Sequence, residues 1–259
     1  MKDLSVTLIQ SRIIWEEPEK NRKLFQAKIR TITETTNCII LPEMFTTGFT
    51  MKAEQFAEPP EGATLEWMRE TAAQVGSDLA GSFIVKENGR FFNRLYWVKP
   101  DGRYFFYDKR HLFRMAQEDR VYRSGASLLT VEVAGWKVRP LICYDLRFPV
   151  WSRNRNNEYD VLIYVANWPK RRISHWRLLL KARAVENQAF AIGVNRVGPD
   201  GNGIEHTGDS LAVDPLGNVL LDMRDREGAE TVRLPRQMLE NYRQKFPVWK
   251  DSDNFEIVP

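Results

Sequence analysis

Cysteine is scarce in this 259-residue chain, with only Cys38 and Cys143. Two such residues suggest no disulfide framework, so the fold has to rest on a hydrophobic core. Histidine is also scarce: His111, His175 and His206 are scattered and lack metal-ligand spacing. No apolar run approaches the ~20 residues needed to cross a bilayer. The opening stretch Met1–Gln10 lacks the longer apolar core and small-residue cleavage site of a signal peptide and reads as a strand. Low-complexity linkers and short repeats are missing as well. These absences point to a cytoplasmic protein made of one domain over residues 1–259, with no membrane segment and no metal.

What is present suits a folded globular domain. Hydrophobic residues make up 43% of the chain, enough for a sizeable core. The net charge is only +4, and no nucleic-acid module or long basic stripe accompanies it. The basic clusters Arg153-Asn154-Arg155 and Lys170-Arg171-Arg172 therefore read as solvated surface, and a modest positive field would draw in a small anion.

Apolar, β-rich runs mark strands at Ser5–Ile9, Cys38–Leu41, Leu79–Val85, Phe91–Val98, Lys137–Cys143, Val161–Ala166, Ala191–Asn195 and Asp209–Val213. Helical spacing predicts helices over Glu19–Thr33, Ala63–Val75, Ser174–Gln188 and Pro235–Phe246, with Ser174 as a cap. Pro100-Asp101-Gly102 reads as a hairpin turn, and Asp214–Asn218 as a second turn before Val219–Leu221. The class is α/β; periodicity leaves the topology open.

Three segments can carry chemistry. In Leu41-Pro42-Glu43-Met44-Phe45 a carboxylate follows a buried strand, either as a surface residue or as a base at the strand's carboxyl end. In Tyr107-Asp108-Lys109-Arg110-His111 the lysine is either exposed, or partly buried where it would stabilise an anion and lower a thiol's pKa. In Ile142-Cys143-Tyr144-Asp145-Leu146-Arg147 the cysteine is either structural or a nucleophile on an elbow whose following N–H groups bind an oxyanion. Cys38, inside an apolar run, reads as a buried structural thiol. A papain-like Cys143–His pair lacks every local signature of that class.

Taken together, these segments resemble the nitrilase, or carbon–nitrogen hydrolase, superfamily. The match continues through Tyr164-Val165-Ala166-Asn167-Trp168-Pro169, Ala182–Gln188, Asn195-Arg196-Val197-Gly198 and Gly208-Asp209-Ser210. The resemblance implies a four-layer αββα sandwich assembled as a homodimer or higher oligomer. It also implies a Glu43–Lys109–Cys143 triad with Glu118 as an auxiliary glutamate, and no cofactor. Tyr144-Asp145 after the cysteine, in place of the Trp-Glu of true nitrilases, is similar to the amidase branches acting on 2-oxo-acid amides, and most to the bacterial ω-amidase-like group. The implied substrate is a small molecule such as 2-oxoglutaramate or 2-oxosuccinamate. Deaminated glutathione and the methionine-salvage 2-oxo-acid amide are the alternatives, and a catalytically silent scaffold is the non-enzyme reading. Arg147 is either a fork for a substrate carboxylate or a structural arginine paired with Asp145 or Glu186. Phe45, Tyr144, Asn167 and Trp168 are the expected pocket lining.

Overall fold

The structure, a computed structural model, describes residues 2–257. In chain order its elements are β1 (Leu4–Gln10), α1 (Pro18–Ile29), β2 (Cys38–Ile40), α2 (Ala53–Phe56), α3 (Ala63–Val75), β3 (Asp78–Glu87), β4 (Arg90–Val98), β5 (Tyr104–Asp108), α4 (Glu118–Val121), β6 (Val131–Val133), β7 (Trp136–Ile142), α5 (Pro149–Ser152), β8 (Val161–Ala166), α6 (Ile173–Asn187), β9 (Phe190–Asn195), β10 (Leu211–Val213), β11 (Val219–Asp222), β12 (Gly228–Leu234) and α7 (Arg236–Lys245).

The strands form two six-stranded sheets, ordered β12-β1-β2-β3-β4-β5 and β11-β10-β9-β8-β7-β6. Each has three parallel strands at its centre, β1-β2-β3 and β7-β8-β9, flanked by antiparallel strands. The apolar runs explain this. Central strands are covered on both faces, so their residues alternate between two cores rather than between core and water. Cys38 and Ile40 point into the core between the sheets, together with Leu4, Val6 and Leu8. Ile39 and Leu41 point the other way and meet Phe25 of α1 and Leu65 and Met68 of α3. On the outer face of the second sheet, α6 buries Trp176, Leu180 and Ala184. It lies so close to β9 that a Cβ on Gly193 would sit 2.4 Å from the Trp176 ring. The layers are therefore α-β-β-α, as the resemblance implied.

The expected strands and helices are present, with shifted ends. The hairpin turn at Asp101-Gly102 is closed by Lys99 N–H to the Arg103 carbonyl at 2.8 Å. Ser174 does not cap α6: it lies inside the first turn, which the chain enters from a 3-10 turn at Lys170–Arg172. The strand expected at Asp209 starts at Leu211, because Asp209 has φ 54° and its N–H is taken by the Arg224 carbonyl. Strands β6 and β12 were not expected. β12 is an edge strand that buries only Val232 and Leu234, so its periodic signal is short. The aromatic tail after α7 is held by its backbone, with the Phe246 carbonyl accepting from Gln188 Nε2 at 2.7 Å, while the Phe246 ring faces outward.

Asp160, just before β8, fastens α7 to this framework. Its two oxygens accept from Arg236 at 3.1 Å and Arg243 at 2.8 Å, and all three side chains are largely buried. Removing the carboxylate would strand two buried guanidiniums. Asp160→Ala is expected to cost about 3–5 kcal/mol of unfolding free energy in urea titrations; a loss below about 1 kcal/mol would mean that water already screens the cluster.

Candidate active site

Strand ends from both sheets converge on one cavity. Glu43 follows β2, Lys109 follows β5, Cys143 follows β7 and Asn167 follows β8, all at carboxyl ends, where α/β folds collect their ligand-binding groups.

Lys109 is the hub. Its ammonium donates to Glu43 Oε1 at 2.8 Å and to Glu118 Oε1 and Oε2 at 2.9 and 3.0 Å, and all three residues are buried. Burial alone would push the lysine pKa down, but the two glutamates outweigh it, so the net direction is up and Lys109 stays charged. Glu118 is held above the usual carboxylate range by burial and by Glu43, against the pull of Lys109. Glu43 is fixed by three further bonds. Asn93 Nδ2 donates to Oε1 at 2.8 Å, the Asn167 N–H donates to Oε2 at 2.8 Å, and Asn167 Nδ2 donates to the Glu43 carbonyl at 2.6 Å. Glu43 is thus tied to the second sheet.

Two local devices place the lysine and the thiol. Gly125 N–H donates to the Lys109 carbonyl at 3.0 Å, and a Cβ on Gly125 would lie 2.2 Å from the Asp108 carbonyl oxygen. Only glycine lets this loop press against the Lys109 backbone. Cys143 has φ 43°, in the left-handed region, and turns the chain from β7 into a 3-10 turn over Cys143–Arg147. Such a conformation costs about 1–3 kcal/mol and is kept by its surroundings. Here the brace is Asp145. One of its oxygens accepts from the Ile142 N–H and the Tyr107 hydroxyl, and the other accepts from the His111 N–H and contacts His111 Nδ1 at 2.8 Å. One buried carboxylate therefore ties the lysine segment to the cysteine elbow.

The sequence suggested that Lys109 would lower the thiol pKa. Lys109 does act in that direction, but burial first, and then the adjacent Glu43, outweigh it and push Cys143 well above the ordinary thiol value. The resting group is a neutral thiol beside a carboxylate base and an ammonium. That arrangement suits nucleophilic acyl transfer in which the proton leaves during attack.

The cavity above the thiol is about 280 Å³. Aromatic walls come from Phe49, Phe113, Tyr144 and Trp168, and a cationic side from Arg147, Arg171 and Arg172. Arg147 pairs with neither carboxylate weighed for it. Asp145 is engaged as above, and Glu186 takes Arg183 at 2.8 Å. The Arg147 guanidinium instead lies 4.8 Å above Trp168 and contacts His175 at 3.1 Å.

Of the residues expected from sequence, Glu43, Lys109, Cys143 and Glu118 form one cluster, and Tyr144, Arg147, Asn167 and Trp168 line the cavity. Phe45 does not. Met44 has φ 44°, and this turn sends Phe45 into the helix-facing core against Phe25, Trp67 and Phe83. Asn93, Phe49, Asp145, Arg172 and His206 carried no expectation as site groups. Asn93 gave no local signal, since pairing of β4 with β5 is what brings it to Lys109. His206, buried at the cavity edge, has its pKa pushed down to about 4 by burial and by Arg196, so it adds no positive charge near neutrality.

An αββα sandwich with a thiol, a carboxylate and an ammonium gathered at its strand ends defines the class of carbon–nitrogen hydrolases. The chain belongs to the carbon–nitrogen hydrolase family, whose model matches residues 5–244. It is similar to the Omega-amidase YafV of Escherichia coli K12, at 43% identity over 99% of this chain and 100% of that one. It is also similar to the 2-oxoglutaramate amidase of Bacillus subtilis, at 32% identity over 95% and 96%. A crystal structure of XC1258 from Xanthomonas campestris, a superfamily member with an arsenic adduct in its active site, superposes with a TM-score of 0.97 at 40% identity over 100% of both chains.

Neutralising Glu43 tests the electrostatics. Glu43→Gln removes the charge that disfavours the thiolate, so the pH profile of Cys143 alkylation by iodoacetamide is expected to move to lower pH. A profile that stays in place or moves to higher pH would show that Glu43 does not set the state of the thiol.

Proposed function

We propose that this protein is an ω-amidase that hydrolyses the terminal amide of a short 2-oxo acid, 2-oxoglutaramate or 2-oxosuccinamate, to the 2-oxo diacid and ammonia. The observation that carries this reading is the polarity of the cavity: a thiol, a carboxylate and an ammonium at its floor, and at its side arginines with no carboxylate partner among the described residues. A short chain with an amide at one end and a carboxylate at the other fits that polarity. The volume, at or below the low end of the ~300–1,000 Å³ usual for ligand pockets, favours such a substrate over deaminated glutathione. The similarity to Omega-amidase YafV and to 2-oxoglutaramate amidase supports the same reading.

In the mechanism we propose, Cys143 Sγ attacks the amide carbon as its proton passes to Glu43. The tetrahedral oxyanion is stabilised by Lys109 and by the Tyr144 N–H; losing one such donor commonly costs about 10²–10³ in rate. The C–N bond breaks as Glu43 returns its proton to the leaving ammonia. Glu43 then takes a proton from water, whose oxygen attacks the thioester carbon. Cys143 leaves as product acid forms, and the proton on Glu43 restores the thiol. Glu118 holds Lys109 in place. Arg147 receives the substrate carboxylate, and Tyr144, Asn167 and Trp168 flank the chain.

The same reading has the protein self-associate, through the outer face of α6 and its neighbours, where Val150, Leu178, Val185 and Leu216 are exposed. Two unpaired cysteines suit a reducing, cytoplasmic compartment. Among the described residues no helix is long and apolar enough to cross a membrane.

The test is ammonia release from a panel of 2-oxoglutaramate, 2-oxosuccinamate, the methionine-salvage amide, deaminated glutathione, glutamine and a simple nitrile. We expect rapid release from a short 2-oxo-acid amide, reduced at least ~10³-fold in Cys143→Ala of unchanged circular dichroism. Silence towards all the 2-oxo-acid amides by folded protein would overturn the assignment.

A further inference from the structure

The buried arginines Arg94, Arg139, Arg183 and Arg236 each reach a carboxylate, and buried Arg196 donates to the backbone carbonyls of Ile13, Val197 and Pro199. The three arginines of the cavity are different. Arg147 contacts a histidine, and neither Arg171 nor Arg172 has an ion-pair partner among the described residues. Arg172 is the most constrained of them. Its N–H donates to the Pro169 carbonyl at 3.0 Å, its carbonyl accepts from Trp168 Nε1 at 2.8 Å, and its guanidinium lies 5.2 Å above the Phe113 ring. Half-buried, it feels the repulsion of Arg171 and Arg147 as well as desolvation, and its pKa moves down accordingly. Asp200 also lines the cavity but forms no ion pair with these arginines among the described residues; its Oδ1 accepts from the N–H groups of Asn202 and Ile204 at 2.8 and 2.9 Å. Three guanidiniums without an ion-pair partner among the described residues thus line one small space.

We propose that Arg172 is a specificity-determining residue that, with Arg147, receives the carboxylate and adjacent oxo group of a 2-oxo acid and excludes the corresponding 2-amino acid. The inference rests on the ω-amidase reading and deepens it. The forked, donor-only guanidinium matches two neighbouring acceptors, the carboxylate and the oxo oxygen. A 2-amino acid amide such as glutamine places an ammonium where the oxo oxygen would lie, against a guanidinium that accepts no hydrogen bond. Like charges about 4 Å apart in a partly screened site correspond to roughly 10²–10³-fold discrimination. Arg147 packs on Trp168 and Arg172 on Phe113, so both forks rest against aromatic walls of the cavity.

Arg172→Gln and Arg172→Lys separate the possibilities. We measure kcat/KM for 2-oxoglutaramate, glutamine and the uncharged butyramide, and the protection of Cys143 against iodoacetamide by 2-oxobutyrate and by 2-aminobutyrate. For Arg172→Gln we expect a 10–100-fold fall with 2-oxoglutaramate, carried mostly by KM, with butyramide unchanged and the preference over glutamine narrowed at least tenfold. Arg172→Lys, which keeps charge without the fork, should keep the rejection of glutamine but lose affinity for the oxo acid. An equal loss on all three amides, or an unchanged oxo-to-amino ratio, would overturn the proposal. The protection assay needs no turnover. If the wild-type protein hydrolyses no 2-oxo-acid amide, Arg172-dependent protection by 2-oxobutyrate alone upholds the specificity site while the amidase reading fails. Equal protection by both acids, or by neither, overturns it.

Discussion

A single buried ammonium sets the terms for this structure. Lys109 is enclosed by Glu43 and Glu118 with contacts of 2.8–3.0 Å, and the cluster carries one more negative charge than positive when both glutamates are ionised. Such a group is stable only where geometry is exact and the remaining oxygens are satisfied. Much of the nearby architecture meets that demand. Asn93 and Asn167 saturate Glu43, the Phe113 N–H saturates Glu118, and Gly125 permits the close backbone approach that holds Lys109. Since Lys109 and Glu43 come from one sheet and Asn167 and Cys143 from the other, the packing of the two sheets is also the alignment of the chemistry.

Burial, and then the adjacent Glu43, hold the Cys143 thiol above its ordinary value, which guards a half-buried cysteine against indiscriminate electrophiles. In the proposed mechanism, attack requires an electrophile placed between the thiol and Lys109, so that proton transfer to Glu43 and oxyanion stabilisation occur together. The arginines of the cavity give the opposite polarity at its side. In the proposed reading, this dipole-like cavity orients a substrate before any contact specific to the amide is made, with the anion toward Arg147 and Arg172 and the amide toward Cys143.

Glu43 after β2, Lys109 after β5, Cys143 after β7 and Asn167 after β8 stand at the ends of apolar strands, and while each had a second reading, the resemblance to the carbon–nitrogen hydrolase superfamily singled them out. A strand's end points where the strand points, so local order carried spatial information. Residues that reach the site by pairing or by a loop's return were not legible. Asn93 lies in mid-strand and arrives through the register of β4 with β5. Arg172 belongs to a run of three basic residues that reads as solvated surface, until the 3-10 turn after β8 folds it over Phe113. Phe45 shows the opposite error, because adjacency to Glu43 in sequence became opposition in space through the left-handed turn at Met44. For the fold, central strands were legible from continuous apolar runs, whereas β12 was not, since an edge strand buries one face for only a few residues.

The central claim is that Cys143 becomes acylated as the amide nitrogen departs. It is tested most directly by mixing the protein with 2-oxoglutaramate, quenching in acid during turnover, and measuring the intact and peptide masses. The account predicts a 2-oxoglutaryl adduct confined to the peptide carrying Cys143, formed with the first equivalent of ammonia and lost as turnover ends. Sustained ammonia release with no adduct at Cys143 while deacylation is slowed, or with an adduct on another residue, would contradict it.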